Sequence, residues 1–159
     1  MKKIFMAMGS DSDWNVMKRG FDLLKEFGVE VEAKVVSAHR TPQDLGPYAK
    51  ECENQNGVCI IAGAGGAAHL PGMLASYTTL PVIGVPVKGS STDGLDSLLS
   101  IVQMPKGVPV ATVGINNSIN AALLALEILG VMEAPVKEKL KQFKLDKQKE
   151  SRLKTGNLK

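Results

Sequence analysis

The chain has 159 residues, 44% hydrophobic and 22% charged, which suits one compact domain burying ~70% of its unfolded surface and excludes a wholly disordered chain. No apolar run approaches the ~20 residues that cross a bilayer, so no membrane partner is expected. The net charge of +3 is uneven: residues 137–159 hold nine Lys or Arg against three acids, leaving a body of −3, and with aromatics at 4% no nucleic-acid partner is expected.

In chain order, Met1 to Gly9 carry a basic pair but run at once into Asp11 and Asp13, unlike a signal peptide, and a cytoplasmic location is expected. Within that stretch Ile4 to Met8 reads as a strand. A helix follows, with Trp14, Met17, Phe21 and Leu24 on one face and Gly28 as its terminating glycine. Val29 to Val36 is the second strand; Thr41 is the expected N-cap and Pro42 a first-turn residue of the second helix. Gly46-Pro47 lies inside that helix and should kink or restart it. Val58 to Ala62, Val82 to Val85 and Val108 to Val113 read as further strands, each followed by a helix. The run Ile119 to Leu129, broken only by Glu127, is more apolar than a one-sided helix needs, which points to burial between subunits. Beyond it, Val136, Leu140 and Phe143 have the spacing of a helix packing face.

The chain therefore reads as a single α/β catalytic domain over residues 1–133 and a basic helical extension over 134–159. Strands alternating with helices imply right-handed crossovers and a parallel sheet of about five strands covered on both faces, a three-layer α/β fold. Ligands in such sheets bind outside the carboxyl ends of the strands. The loops at that end hold both histidines and much of the glycine and serine: Gly9 to Asp13, Ser37 to Thr41, Gly63 to Gly72 and Pro86 to Ser91.

Gly9-Ser10-Asp11-Ser12-Asp13 precedes a helix, so its backbone N–H groups and serine hydroxyls can face a single phosphate, with Asp13 taking a ribose diol; alternatively Ser12 or Asp13 is only an N-cap. Neither a nucleoside-triphosphate loop nor a dinucleotide fingerprint is present. Arg40 offers a fork for phosphate oxygens at a helix start, where the dipole disfavours a cation unless an anion intervenes. His39 beside it is a proton-transfer candidate. The nearly uncharged Ala62 to Gly72 stretch would form a small dry wall, with Gly65 and Gly66 supplying N–H groups and His69 either lining it or serving as a helix-start residue. Cys52 and Cys59 are expected as reduced thiols, and with only His39 and His69 beside them, at no zinc-like spacing, no metal is expected.

Five ordered motifs, Met8 to Trp14, Ser37 to Pro42, Ala62 to Met73, Thr79 to Pro86 and Gly94 to Pro105, closely resemble the class I N5-carboxyaminoimidazole ribonucleotide mutases of purine biosynthesis over about residues 3 to 130. The resemblance implies a doubly wound, flavodoxin-like parallel sheet, a homo-octamer, and isomerisation of the N-carboxylated aminoimidazole ribonucleotide to its C4-carboxylated form, with no metal, ATP or biotin. Carried onto this chain, it gives Ser10 and Arg40 to the phosphate, Asp13 to the ribose hydroxyls and His39 to proton transfer, while Ser37 and His69 shape the site. Two rival readings use the same residues. One is the class II enzyme of this fold, which carboxylates aminoimidazole ribonucleotide directly with carbon dioxide, and the other is a non-catalytic ribonucleotide sensor using Ser10, Asp13 and Arg40 but not His39.

Overall fold

The computed structural model describes residues 2–158. Its sheet is built from β1 (Lys3–Met8), β2 (Glu30–Val35), β3 (Gly57–Gly65), β4 (Val82–Val87) and β5 (Ala111–Thr112), all parallel and ordered β2-β1-β3-β4-β5. The helices are α1 (Trp14–Glu26), α2 (Leu45–Asn54), α3 (Leu70–Tyr77), α4 (Leu95–Val102), α5 (Ser118–Gly130) and α6 (Ala134–Leu153). That strand order is the flavodoxin-like one, whose order reverses between β1 and β3 and opens a crevice there. β1, β3 and β4 are buried almost throughout because helices cover both faces, whereas edge strand β2 leaves Val35 half exposed.

Alternation along β3 sorts the two faces. Ile60, Ala62 and Ala64 join Phe5, Ala7, Tyr48, Leu70, Leu74 and Ile101 in one core, the face of α2, α3 and α4. Gly63 points the other way, where the Met17 thioether of α1 lies so close that a β-carbon would collide with it. Helix α1 begins after a 3-10 turn over Asp11–Asp13, buries Met17, Gly20 and Leu24, and gives way at Gly28, whose φ of 77° is the left-handed conformation of a helix stop.

Two local expectations need correction. Thr41 precedes the second helical segment but does not cap it: its hydroxyl donates back to the Ser37 carbonyl at 3.3 Å, and Pro42–Asp44 forms a 3-10 turn before α2 starts at Leu45. This restart makes Pro47 the third residue of α2, where an N–H has no intrahelical acceptor and its loss does no harm. The fifth strand shrinks to Ala111–Thr112, since Pro109 has no N–H to give the ladder. In the apolar α5, Ala121, Ala122, Ala125, Leu126 and Leu129 are buried within the chain, while Ile119, Leu123, Leu124 and Ile128 are partly exposed.

The chain forms two compact units, residues 1–125 and 126–159, parting within α5, whereas the sequence reading sets the boundary at residue 134. The second unit contains α6, in which Leu140 is buried, and Lys144 is paired with Glu127 at 2.7 Å. Among the described residues no helix is long and apolar enough to cross a membrane.

Candidate active site

A cleft of about 410 Å³ opens at the carboxyl ends of β1, β2 and β3, where the strand order reverses. Ser10, Ser12 and Asp13 from the β1 loop, Ser37, His39 and Arg40 from the β2 loop, and Gly65 and His69 from the β3 loop line it together. Every predicted site residue except Gly66 is there. The fourth predicted loop, Pro86 to Ser91, contributes no residue to its lining.

The β1 loop is a capping box. The Ser10 hydroxyl accepts the Ser12 N–H at 3.3 Å, and the Asp13 carboxylate accepts the Ser10 N–H at 3.2 Å. The Gly9 N–H goes to the Gly63 carbonyl and the Asp13 N–H to the Ser10 carbonyl. The Gly9, Ser10, Ser12 and Asp13 N–H groups of the expected backbone cradle are thus taken by the chain's own acceptors, and the hydroxyls are engaged within the loop as well, Ser10 donating to the Asp11 carboxylate at 3.1 Å and Ser12 to the Ser10 hydroxyl at 3.0 Å. Ser10 is the N-cap of the 3-10 turn, and Asp13, which closes the box, occupies the N-cap position of α1 without a side-chain cap bond there; Ser12 caps neither. Asp13 is 8% exposed, and burial pushes its carboxyl above the ordinary range against the pull of the Ser10 and Gly9 amides and of Arg40.

Arg40 is anchored across two loops. Its Nη2 donates to the Gly9 carbonyl at 2.6 Å and its Nε to the Ser37 hydroxyl at 3.1 Å, while the same hydroxyl accepts the Arg40 N–H at 3.2 Å. Ser37 thereby holds the guanidinium in the cleft. The two histidines meet directly, His39 Nε2 lying 2.7 Å from His69 Nδ1 with the rings edge-on at 83°. Such a bond needs one donor and one acceptor nitrogen, so it lasts only while at least one ring is neutral. His69 also sits at the N-cap position of α3 without capping it, so both sequence readings of this residue hold a part.

Gly66 must be reassigned. Its φ of 62° turns the chain out of β3, and its N–H donates at 2.9 Å to the hydroxyl of Ser97 on α4, so it is not available to a ligand. Ser97 lies within the Gly94 to Pro105 motif but carries no site role in the sequence reading, being one serine in an amphipathic helix. In the single chain His39, Arg40, Gly65 and His69 are exposed at the rim that the three short loops make. No group of three or more His, Cys, Asp or Glu is placed to hold a metal among the described residues.

Known proteins resemble this chain in sequence and in fold. The family described as AIR carboxylase matches residues 3–150. An N5-carboxyaminoimidazole ribonucleotide mutase of Saccharolobus solfataricus is 58% identical over 92% of this chain and 92% of its own length. A phosphoribosylaminoimidazole carboxylase of Candida albicans is 60% identical over 91% of this chain, which spans 26% of that protein. A crystal structure of Treponema denticola PurE superposes with a TM-score of 0.90 at 27% identity, covering 100% of this chain and 99% of the other.

Proposed function

This chain belongs to the AIR carboxylase family, and from that premise we propose that it converts N5-carboxyaminoimidazole ribonucleotide into 4-carboxy-5-aminoimidazole ribonucleotide in purine biosynthesis. One observation supports this reading above the others: Ser10, Asp13, Ser37, His39, Arg40 and His69, carried by three separate loops, converge on a single cleft at the switch point. An anchored guanidinium flanked by the Ser10 and Ser37 hydroxyls suits a phosphate, and the Asp13 carboxylate suits the ribose hydroxyls. The base then lies towards His39 and the Gly65 to His69 wall.

The chemistry follows from that pose. The carbon–nitrogen bond of the carbamate breaks and releases carbon dioxide, while the exocyclic nitrogen takes a proton from His39. The electron-rich C4 attacks the same carbon dioxide, forming a carbon–carbon bond, and His39 recovers a proton by removing the one on C4. Proton count is unchanged over the cycle, so one histidine serves both steps. Holding carbon dioxide against C4 is an effective-concentration gain, which the close Gly65 and Ala64 backbone favours.

The test is to supply the N-carboxylated substrate, and separately aminoimidazole ribonucleotide with bicarbonate. Conversion of the first without bicarbonate is expected; turnover of the second alone would replace the mutase with the carboxylase reading. In the His39→Asn variant turnover should fall at least ~100-fold while ribonucleotide binding persists. Unchanged turnover in that variant would falsify the role of His39 and leave a sensor. Assembly into an octamer belongs to the same reading, supported by the apolar row Leu95, Leu99 and Val102, about half exposed on α4. A cytoplasmic setting accords with two buried free cysteines.

A further inference from the structure

Ser97 is wholly buried on α4 and lines no part of the cleft, yet its hydroxyl joins two backbone groups that meet only here. It donates to the carbonyl of Val87, the last residue of β4, at 2.8 Å and accepts the N–H of Gly66 at 2.9 Å. Gly65 is the register partner of Val87, so the bridge closes where the two strands end and the chain turns towards His69. The turn has few other restraints: a β-carbon on Gly66 would meet nothing within 4 Å, and the nearby Ser100 hydroxyl reaches the Gly66 carbonyl only at 3.5 Å, bonding Asp96 within its own helix at 2.8 Å instead. Asp96 in turn accepts the Ser97 N–H at 2.8 Å and is itself held by Thr92, which seats the helix start. With the Ser97 hydroxyl removed, the part-buried Gly66 amide and the buried Val87 carbonyl lose this partner together, and the turn must shift to find water.

We propose that Ser97 is a positioning residue: its hydroxyl bridge between Gly66 and Val87 sets the wall from Gly65 to His69 and thereby governs how well carbon dioxide is retained between its release and its recapture at C4. The inference rests on the mutase reading, because retention matters only if carbon dioxide is an intermediate.

The experiment measures leakage. The full-length protein is given the N-carboxylated substrate in isotopically labelled bicarbonate, and both free aminoimidazole ribonucleotide and label in the C4-carboxylated product are counted per turnover. Losing one such buried hydrogen bond is worth about tenfold in the balance between a held and a loosened wall. Ser97→Ala should therefore raise leakage about tenfold over wild type, with KM changed less than the leak. Ser97→Thr, which keeps the hydroxyl, should restore most of the retention, and Ser100→Ala should leak as wild type does. A folded Ser97→Ala that leaks no more than wild type overturns the proposal. If that variant does not fold, Gly66→Ala decides: its β-carbon meets open space but its φ of 62° is strained, so a turn that sets retention will leak, and wild-type leakage there also overturns the proposal. Failure of the wild-type protein to convert the substrate at all would instead refute the functional reading.

Discussion

Asp13 shows how a single carboxylate is held between two demands. Its burial disfavours the charge, while the amides it caps and the nearby Arg40 favour it, and the balance leaves its affinity for a proton raised from the ordinary 3.8. A carboxyl with a raised folded value stabilises the fold most when protonated; that contribution is complete below about 3.8 and is lost as pH rises through the folded value. At neutral pH the ionised Asp13 is therefore a net strain on stability. Asp13→Asn should melt at a higher temperature than wild type at pH 7, an advantage that shrinks towards pH 4, while ribonucleotide affinity falls; equal melting temperatures across that range in thermal scans would contradict it. The sequence makes Asp13 legible as a residue lining the cleft through its loop position. It does not show that the capping box has already consumed the amides, because hydrogen bonds within a loop leave no compositional trace.

At the level of elements, α1 and α5 meet through a glycine and an inserted hydroxyl. Ser118, wholly buried, accepts the Gly20 N–H at 3.1 Å and donates to the Val16 carbonyl at 2.6 Å, entering the hydrogen-bond ladder of α1 between residues four apart. A β-carbon on Gly20 would run into the Ser118 carbonyl. Alanine gains ~1 kcal/mol in helix propensity, but overpacking against backbone costs about 1–3 kcal/mol and more where nothing can yield, so the clash prevails. Gly20→Ala should lower stability by about 1–2 kcal/mol in denaturant unfolding; a stabilised variant would show that the two helices are not locked there. In the sequence Gly20 reads only as a weak spot in a good amphipathic helix. Elements with strong periodicity, α1 and β1 to β4, were legible because one pattern of burial fixes them. The fifth strand, the 3-10 turn before α2 and the Ser97 bridge were not, since each depends on partners distant in the chain.

For the molecule as a whole, the strand alternation made the sheet and its ligand-binding edge legible, and the shared cleft followed from topology. Which surface would meet other copies is not legible from apolar content alone, because that content does not say which side the chain itself covers. The sequence pointed to α5, whose Ile119, Leu123, Leu124 and Ile128 stay partly exposed, and the structure adds a half-exposed row, Leu95, Leu99 and Val102, on α4. Leu99→Glu should reduce the assembled mass in light scattering while leaving the fold unchanged by circular dichroism; an undiminished mass would move the interface elsewhere. The guanidinium of Arg40 bears on every copy alike. Because the Gly9 carbonyl and the Ser37 hydroxyl already hold it, its torsional freedom is surrendered when the chain folds and, on the proposed reading, not when a phosphate arrives. Docking then escapes an ordering penalty of ~0.5–1.5 kcal/mol for that side chain, and two loops from adjacent strands greet the ligand as one prearranged jaw.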